Sequence, residues 1–302
     1  MPDEIRELRL RVGDRDVRAL ETGTGSRLVL VLHGGTPGLS SFAASADTLR
    51  GLLERLDLDG HRVVAPDLPG AGGTPARSVE DLTVGGTIAF ARELIAALAP
   101  NELHLVGHGD ASLATLALAR DEHLGVAVAS CALLAPVAAA PTSDGLDNIA
   151  LLHPPAPRWS RRSQRWALDR LCFSAERGER ELLDACVEHA RGAAHRGAVA
   201  RLELDGARSE ITASAYGAMD AFYAYCREVG YAVPLTLVWG AEDPTAEIQH
   251  AAVLNDIVGE GPAPVGFHLI DRCGHFPHVD QPDRVARTVG SAIRRAVRVE
   301  VA

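Results

Sequence analysis

Lysine is absent from this 302-residue chain, so all 30 of its basic residues are arginine, a bias that reads as coding preference in a GC-rich genome. The 40 acidic residues outnumber them, and the formal charge of −10 at pH 7 argues against a general nucleic-acid binder. Aromatic residues make up only 4%, which leaves Ala, Val and Leu to supply most of the core. No apolar run has the length of a membrane span: the longest, Val126–Pro141, is too short and contains Pro136. The N-terminus is charged from its first residues and lacks a secretory signal, so a soluble cytoplasmic protein is expected. The five cysteines (Cys131, Cys172, Cys186, Cys226, Cys273) are odd in number and widely spaced, with no C-x-x-C. They suggest neither a zinc site nor a disulfide framework and read as buried small residues or free thiols. No metal-binding cluster and no internal repeat is visible. Gly70-Ala71-Gly72-Gly73 follows a strand but lacks the G-x-G-x-x-G spacing of a dinucleotide loop. No cofactor is expected.

What is present is globular in composition, 47% hydrophobic and 23% charged. Arg27–Leu32, Arg62–Ala65, Leu103–His108, Val126–Leu134, Pro234–Trp239 and Val265–Ile270 are mostly apolar runs of strand length, as in strands buried on both faces. Ile5–Leu10 and Val17–Glu21 alternate around Gly13-Asp14 and read as a hairpin. Helical spacing fills the intervals at Ala44–Leu56, Leu82–Leu98, Asp110–Arg120 and Pro282–Val297. Strands alternating with helices predict an α/β fold with a mostly parallel sheet, helices on both faces, and chemistry beyond the carboxyl ends of the strands. The pattern breaks between about Thr142 and Gly230. There Trp166–Cys172, Glu179–Gly192 and Ala213–Val229 look helical and no strand is convincing. The expected organisation is a core from 1–141 and 231–302 with a helical cap at 142–230.

The loops after these strands carry the functional signal. Gly107-His108-Gly109-Asp110-Ala111 is a strand-to-helix elbow, the place of a G-x-S-x-G nucleophile, and its apex is Gly109. His33-Gly34-Gly35-Thr36-Pro37-Gly38 is similar to an HGG-P-G oxyanion loop interrupted by Thr36. Asp67-Leu68-Pro69-Gly70-Ala71-Gly72 resembles a D-x-P-G-x-G loop. Trp239-Gly240-Ala241-Glu242-Asp243-Pro244 resembles an acid-bearing loop, and Gly274-His275-Phe276-Pro277 a histidine-bearing one. Elbow, acid and histidine come in the order used by α/β-hydrolases. Across most of residues 15–297 except the cap, the chain resembles that superfamily, within its proline iminopeptidase and epoxide hydrolase-like lineage. The departure is Gly109, which has no hydroxyl to attack a carbonyl.

The resemblance implies a His275–Asp243 dyad in which Asp243 fixes the imidazole tautomer and His275 serves as base. Glu242 is the neighbouring alternative acid. The backbone N–H groups of Gly35, Thr36 and Asp110 are placed as an oxyanion hole, which would survive the loss of serine. Gly34, His108 and Phe276 are the candidate substrate contacts, although a structural role is the plainer reading for His108 and for His278. Asp110 lies one position past the apex aspartate of dehalogenases and epoxide hydrolases. It reads first as a helix-start acid, then as a contact to substrate or water, and least as a direct catalyst. Ser112 is too far along the helix to replace the nucleophile, and Asp67 is expected to shape its loop. Arg158, Arg161, Arg162, Arg165 and Arg170 read as a solvated face, with an anionic substrate or a carrier protein as the alternative.

Gly109 has three readings: strain relief in a protein that has lost activity, an engineered inactive form, or a functional space. The expected function is therefore a cofactor-free enzyme on a small carbonyl-containing molecule, of the kind found in specialised metabolism. His275 would transfer a proton in an epimerisation, cyclisation, elimination or C–C cleavage. Hydrolysis of an ester, lactone, amide or thioester by direct water activation and non-catalytic binding of a small molecule are the alternatives. Neither nucleic acid nor membrane is an expected partner.

Overall fold

Apolar runs without polar alternation build the centre of the molecule. Residues Leu28 to Leu32 of β3 (Arg27–Leu32) are all buried. Alternate side chains point to opposite faces, so such a strand needs cover on both. Burying each side chain contributes about 1.5–3 kcal/mol. The computed structural model describes residues 4–141, 151–174 and 179–299.

The chain begins with an antiparallel hairpin, β1 (Arg6–Val12) and β2 (Arg15–Gly23), followed by β3. It continues through α1 (Arg50–Leu53), β4 (His61–Pro66), α2 (Val84–Leu98), β5 (Glu102–His108), α3 (Ser112–Ala119) and β6 (Val128–Leu134). Four helices follow: α4 (Arg161–Leu171), α5 (Glu179–Arg191), α6 (Ala193–Leu202) and α7 (Ala207–Glu228). The chain then returns to β7 (Leu235–Gly240), α8 (Ile248–Gly259), β8 (Val265–Ile270), α9 (Pro277–Asp280) and α10 (Pro282–Val299).

The eight strands form one sheet in the order β1-β2-β4-β3-β5-β6-β7-β8, parallel from β4 to β8. On one face, Leu28, Leu30 and Leu32 pack with Phe90 and Leu94 of α2, Leu116 of α3 and Leu254 of α8. On the other, Val29 and Val31 pack with Leu52 of α1 and Val285 and Val289 of α10. This is the α/β-hydrolase architecture expected from the sequence.

Two differences have local causes. The helix expected at Ala44–Leu56 shrinks to a 3-10 turn at Ala46–Leu49 and the single turn of α1. The Ala43 and Ala46 N–H groups donate to Gln164 Oε1 and Asp67 Oδ1, which holds the preceding chain extended until Ser45 caps the turn. Helix α6 was not expected, because its Ala-, Arg- and Gly-rich sequence has little apolar periodicity; Ala198 and Leu202 nevertheless pack with Leu82 and Ile211. Helix α7 joins the main core through Ala215, Phe222 and Cys226. All five cysteines are buried and none forms a disulfide. Among the described residues, no helix is long and apolar enough to cross a membrane.

Candidate active site

Strand β5 runs into a 3-10 turn at Gly109–Ala111 and then α3, a sharp strand-to-helix elbow. Gly109 sits at its apex with φ +57°, a left-handed conformation that costs a residue with a Cβ about 1–2 kcal/mol. A Cβ at Gly109 would lie 3.2 Å from His275 Nε2. The apex read from the sequence therefore has a geometric counterpart: the position that faces His275 is 109.

His275 lies in the loop after β8. Its Nδ1 is 3.1 Å from Asp243 Oδ2 and 3.0 Å from Thr245 Oγ1. The Thr245 hydroxyl donates to Asp243 Oδ1 at 2.6 Å, and the Thr245 N–H donates to the same oxygen at 2.8 Å. With its hydrogen committed to the carboxylate, the threonine oxygen accepts. The proton of His275 therefore sits on Nδ1, shared between Asp243 and Thr245. Nε2 carries the lone pair and faces Gly109, the tautomer a general base needs. Glu242, the alternative acid, accepts from the Cys273 N–H at 2.9 Å and thus ties the two loops together.

The support behind His275 is dense. Its N–H donates to the Leu171 carbonyl at the end of α4 at 2.7 Å. Asp280 Oδ2 accepts from the N–H groups of Gly274 and Phe173 at 2.8 and 3.0 Å. His108 donates from Nε2 to the His275 carbonyl at 2.9 Å, and its ring packs against His275, Phe276 and His278. Burial, and then the neighbouring His278 and His275, holds the His108 pKa well below the ordinary imidazole range. Burial, and then His275, pushes His278 down to about 3. His108 and Phe276, expected as substrate contacts, are instead buried and packed against the His275 loop. Burial holds the Cys273 thiol well above its ordinary range, which removes it as a nucleophile near pH 7.

The opposite side of the elbow differs from expectation. The N–H groups of Gly35 and Thr36 do not stand open as oxyanion donors. They donate to Asp110 Oδ1 at 2.7 Å and Oδ2 at 2.9 Å, and the Thr36 hydroxyl adds a third bond at 2.7 Å to Oδ2. Gly34 permits this approach: a Cβ there would lie 2.8 Å from Asp110 Oδ1 and 2.7 Å from the His108 carbonyl. The carboxylate one residue past the apex thus occupies the anion-binding corner. A mainly apolar cleft opens against this corner, lined by Gly34, Leu68, Leu82, Asp110, Ala138 and Ile211 among others. His275 does not line it, but Gly34, which does, is 3.8 Å from the Cβ position at Gly109.

Other candidates have structural explanations. Asp67 is fully buried, pairs with Arg18 and accepts from the Ala46 and Gly73 N–H groups, which shapes its loop as expected. His33 donates from Nδ1 to the Gly34 carbonyl and accepts the Leu68 N–H at Nε2, joining the two glycine-rich loops. Ser112 is fully buried on the helix. Arg158 donates to the Gly38 carbonyl and lies over Trp159, Arg161 pairs with Asp184, and Arg170 covers Trp166. Thr245 escaped sequence reading, although its place two residues after an aspartate is a turn signal.

The profile of the alpha/beta hydrolase family matches residues 28–288, and no curated protein matches the chain by sequence. Solved structures with the same fold include a 2-hydroxy-6-oxo-6-phenylhexa-2,4-dienoate hydrolase from Rhodococcus sp. strain RHA1, at 20% identity and a TM-score of 0.70, covering 97% of this chain and 99% of that one. A meta-cleavage product hydrolase from Pseudomonas fluorescens IP01 has 18% identity and a TM-score of 0.73, covering 96% and 98%. A thioesterase domain from the curacin biosynthetic pathway has 18% identity and a TM-score of 0.65, covering 95% and 99%. With the family profile spanning most of its length and the sheet, elbow and loops in place, the chain belongs to the alpha/beta hydrolase family.

Proposed function

We propose that the protein is a cofactor-free enzyme of this family in which His275 transfers a proton on a small carbonyl-containing substrate. The observation that carries this reading is the orientation of His275: Nδ1 is held by Asp243 and Thr245, and Nε2 is directed at the side-chain position that Gly109 leaves open. A base without a neighbouring hydroxyl suits abstraction of a proton from carbon or from a substrate hydroxyl. That step leads to epimerisation, elimination, cyclisation or C–C cleavage.

Asp110 sharpens the substrate class. Acyl transfer needs hydrogen-bond donors where negative charge develops, and a carboxylate fixed at Gly35 and Thr36 works against it. The same carboxylate is a fixed acceptor at the end of an apolar cleft. It fits a hydroxyl or amino group on the substrate, such as that of a β-hydroxy carbonyl compound. Removal of the nucleophilic serine alone typically costs on the order of 10⁶ in kcat, which weighs further against an ordinary esterase. The meta-cleavage and dienoate hydrolases that share the fold act, by their names, on small molecules, which accords with this scale of substrate.

Asp110 also favours a second reading, non-catalytic binding of a small molecule that donates a hydrogen bond. Incubating a panel of hydroxy-carbonyl compounds with the enzyme in D₂O separates the two. Deuterium uptake or product formation that is lost in His275→Ala is the result expected of the enzyme. Ligand binding without exchange or turnover, and unaffected by His275→Ala, would establish the binding protein instead.

A further inference from the structure

At the opposite end of the sheet from the elbow, three side chains of metal-ligating type meet. His61 is the first residue of β4, Glu102 the first of β5, and His104 lies two residues into β5. Strand β3 runs between them, and Arg27 is in register with both His61 and Glu102. Parallel register sets all three side chains on the sheet face covered by α1 and α10, where the alternate residues Val63 and Val106 also pack. One nitrogen of each histidine and one Glu102 oxygen lie within 4.8 Å of one another. The two rings are 5.4 Å apart between centroids.

The hydrogen bonds around this cluster select the atoms that face a ligand. His61 Nδ1 is 3.0 Å from the Asp59 carbonyl, which can only accept, so the His61 proton is on Nδ1. Its Nε2 carries a lone pair, has no hydrogen-bond partner and is buried in a residue only 3% exposed. A buried acceptor without a donor costs about 1–3 kcal/mol. His104 is fully buried, with Nδ1 2.8 Å from Ser130 Oγ and Nε2 2.8 Å from Glu102 Oε1.

We propose that His61, Glu102 and His104 form a binding site for a divalent transition metal of the zinc class. The donor set is two imidazoles and one carboxylate, with the fourth position open to water. The Asp59 carbonyl and the Ser130 hydroxyl serve as outer partners that fix the two rings. On binding, His104 shifts its proton from Nε2 to Nδ1, where Ser130 accepts it, and no proton is lost. Bonds of about 2.0–2.1 Å set ligand atoms roughly 3.3 Å apart, so the cluster must tighten by about 1.5 Å at its widest. Glu102, the most exposed of the three at 16%, supplies that movement and the entry path. Arg27 is the cationic group facing the site. Its guanidinium donates to the Asp59 carbonyl at 2.8 Å, and the Glu102 carboxylate offsets its repulsion. The bound ion would join the starts of β4 and β5 across β3. Sequence spacing conceals the site, because His61 and Glu102 lie far apart in the chain and only the sheet order unites them.

Titration of the metal-stripped protein with Zn²⁺, followed by a competing chromophoric chelator, tests the proposal. A parallel titration with Co²⁺ reads the visible ligand-field bands. The expected result is one equivalent of tight binding, a melting temperature raised by zinc, and cobalt bands characteristic of a low-coordinate nitrogen and oxygen site. Affinity should fall about tenfold or more in both His61→Ala and Glu102→Gln, and remain unchanged in His275→Ala. Glu102→Gln keeps the volume of a partly exposed strand-end residue, so it distinguishes loss of a ligand from loss of the fold. Absence of tight binding in the parent protein, or unchanged affinity in either site variant, would overturn the proposal.

Discussion

The two sides of the elbow differ in how their polar groups are used. On the base side, His275, Asp243 and Thr245 hold the hydrogen-bond pattern of a working general base, and the His275 loop is fastened by Leu171, His108 and Asp280. On the anion side, the apex hydroxyl is absent and two of the three candidate oxyanion donors, the Gly35 and Thr36 N–H groups, are filled by the Asp110 carboxylate. Under the proposed function, the contrast means that proton transfer and oxyanion stabilisation, which cooperate in acyl transfer, are used separately.

Perturbing each side breaks the comparison in a different way. The largest effect is expected from His275→Ala, which removes the base: turnover or solvent-deuterium exchange should fall about 10²–10⁴-fold with folding intact. Asp110→Ala should act first on stability. It leaves three loop donors without their acceptor, at a cost on the order of 1–3 kcal/mol, discounted because the corner is only partly buried, and measurable by urea denaturation. Thr245→Val removes one of the two groups that hold His275 Nδ1 and a donor to Asp243. A loss of about 1.4 kcal/mol there corresponds to roughly tenfold in rate, with substrate affinity preserved.

The smallest effect is a pH dependence of stability from the base side. His278 is held at about 3 by burial, below its unfolded value of 6.5, so the unfolded chain binds the extra proton first. Stability from this group is complete above pH 6.5 and is lost as pH falls toward 3. Between pH 6.5 and 5.5 the loss should approach 1 kcal/mol, and His278→Leu should flatten that part of the profile.

Much of the fold was legible because buried parallel strands write themselves as apolar runs: the range read for β3 is the range observed, and that for β8 likewise. The meeting of Asp243, His275 and Gly109 was legible because they sit at loop positions fixed by strand ends. The role of Asp110 was not. As a helix-start acid it satisfies a local rule, and its turn toward Gly35 and Thr36 depends on how closely two distant loops approach across Gly34. The burial of His108 and Phe276 was not legible, because a loop sequence does not reveal which of its side chains are packed beneath it. The His61–Glu102–His104 cluster was hidden for a related reason, since strand order and not chain order brings it together.

The separation of the two sides is tested most directly by restoring the nucleophile with and without Asp110. Gly109→Ser and the double variant Gly109→Ser with Asp110→Ala would be compared on an activated p-nitrophenyl ester, with circular dichroism as the control for folding. The serine variant alone should be a poor esterase, because the donors at Gly35 and Thr36 remain occupied. Freeing those donors should raise kcat on the order of 10²–10³-fold and reveal an acyl-enzyme burst. An equally strong esterase in both variants would contradict the claim that Asp110 closes the anion side.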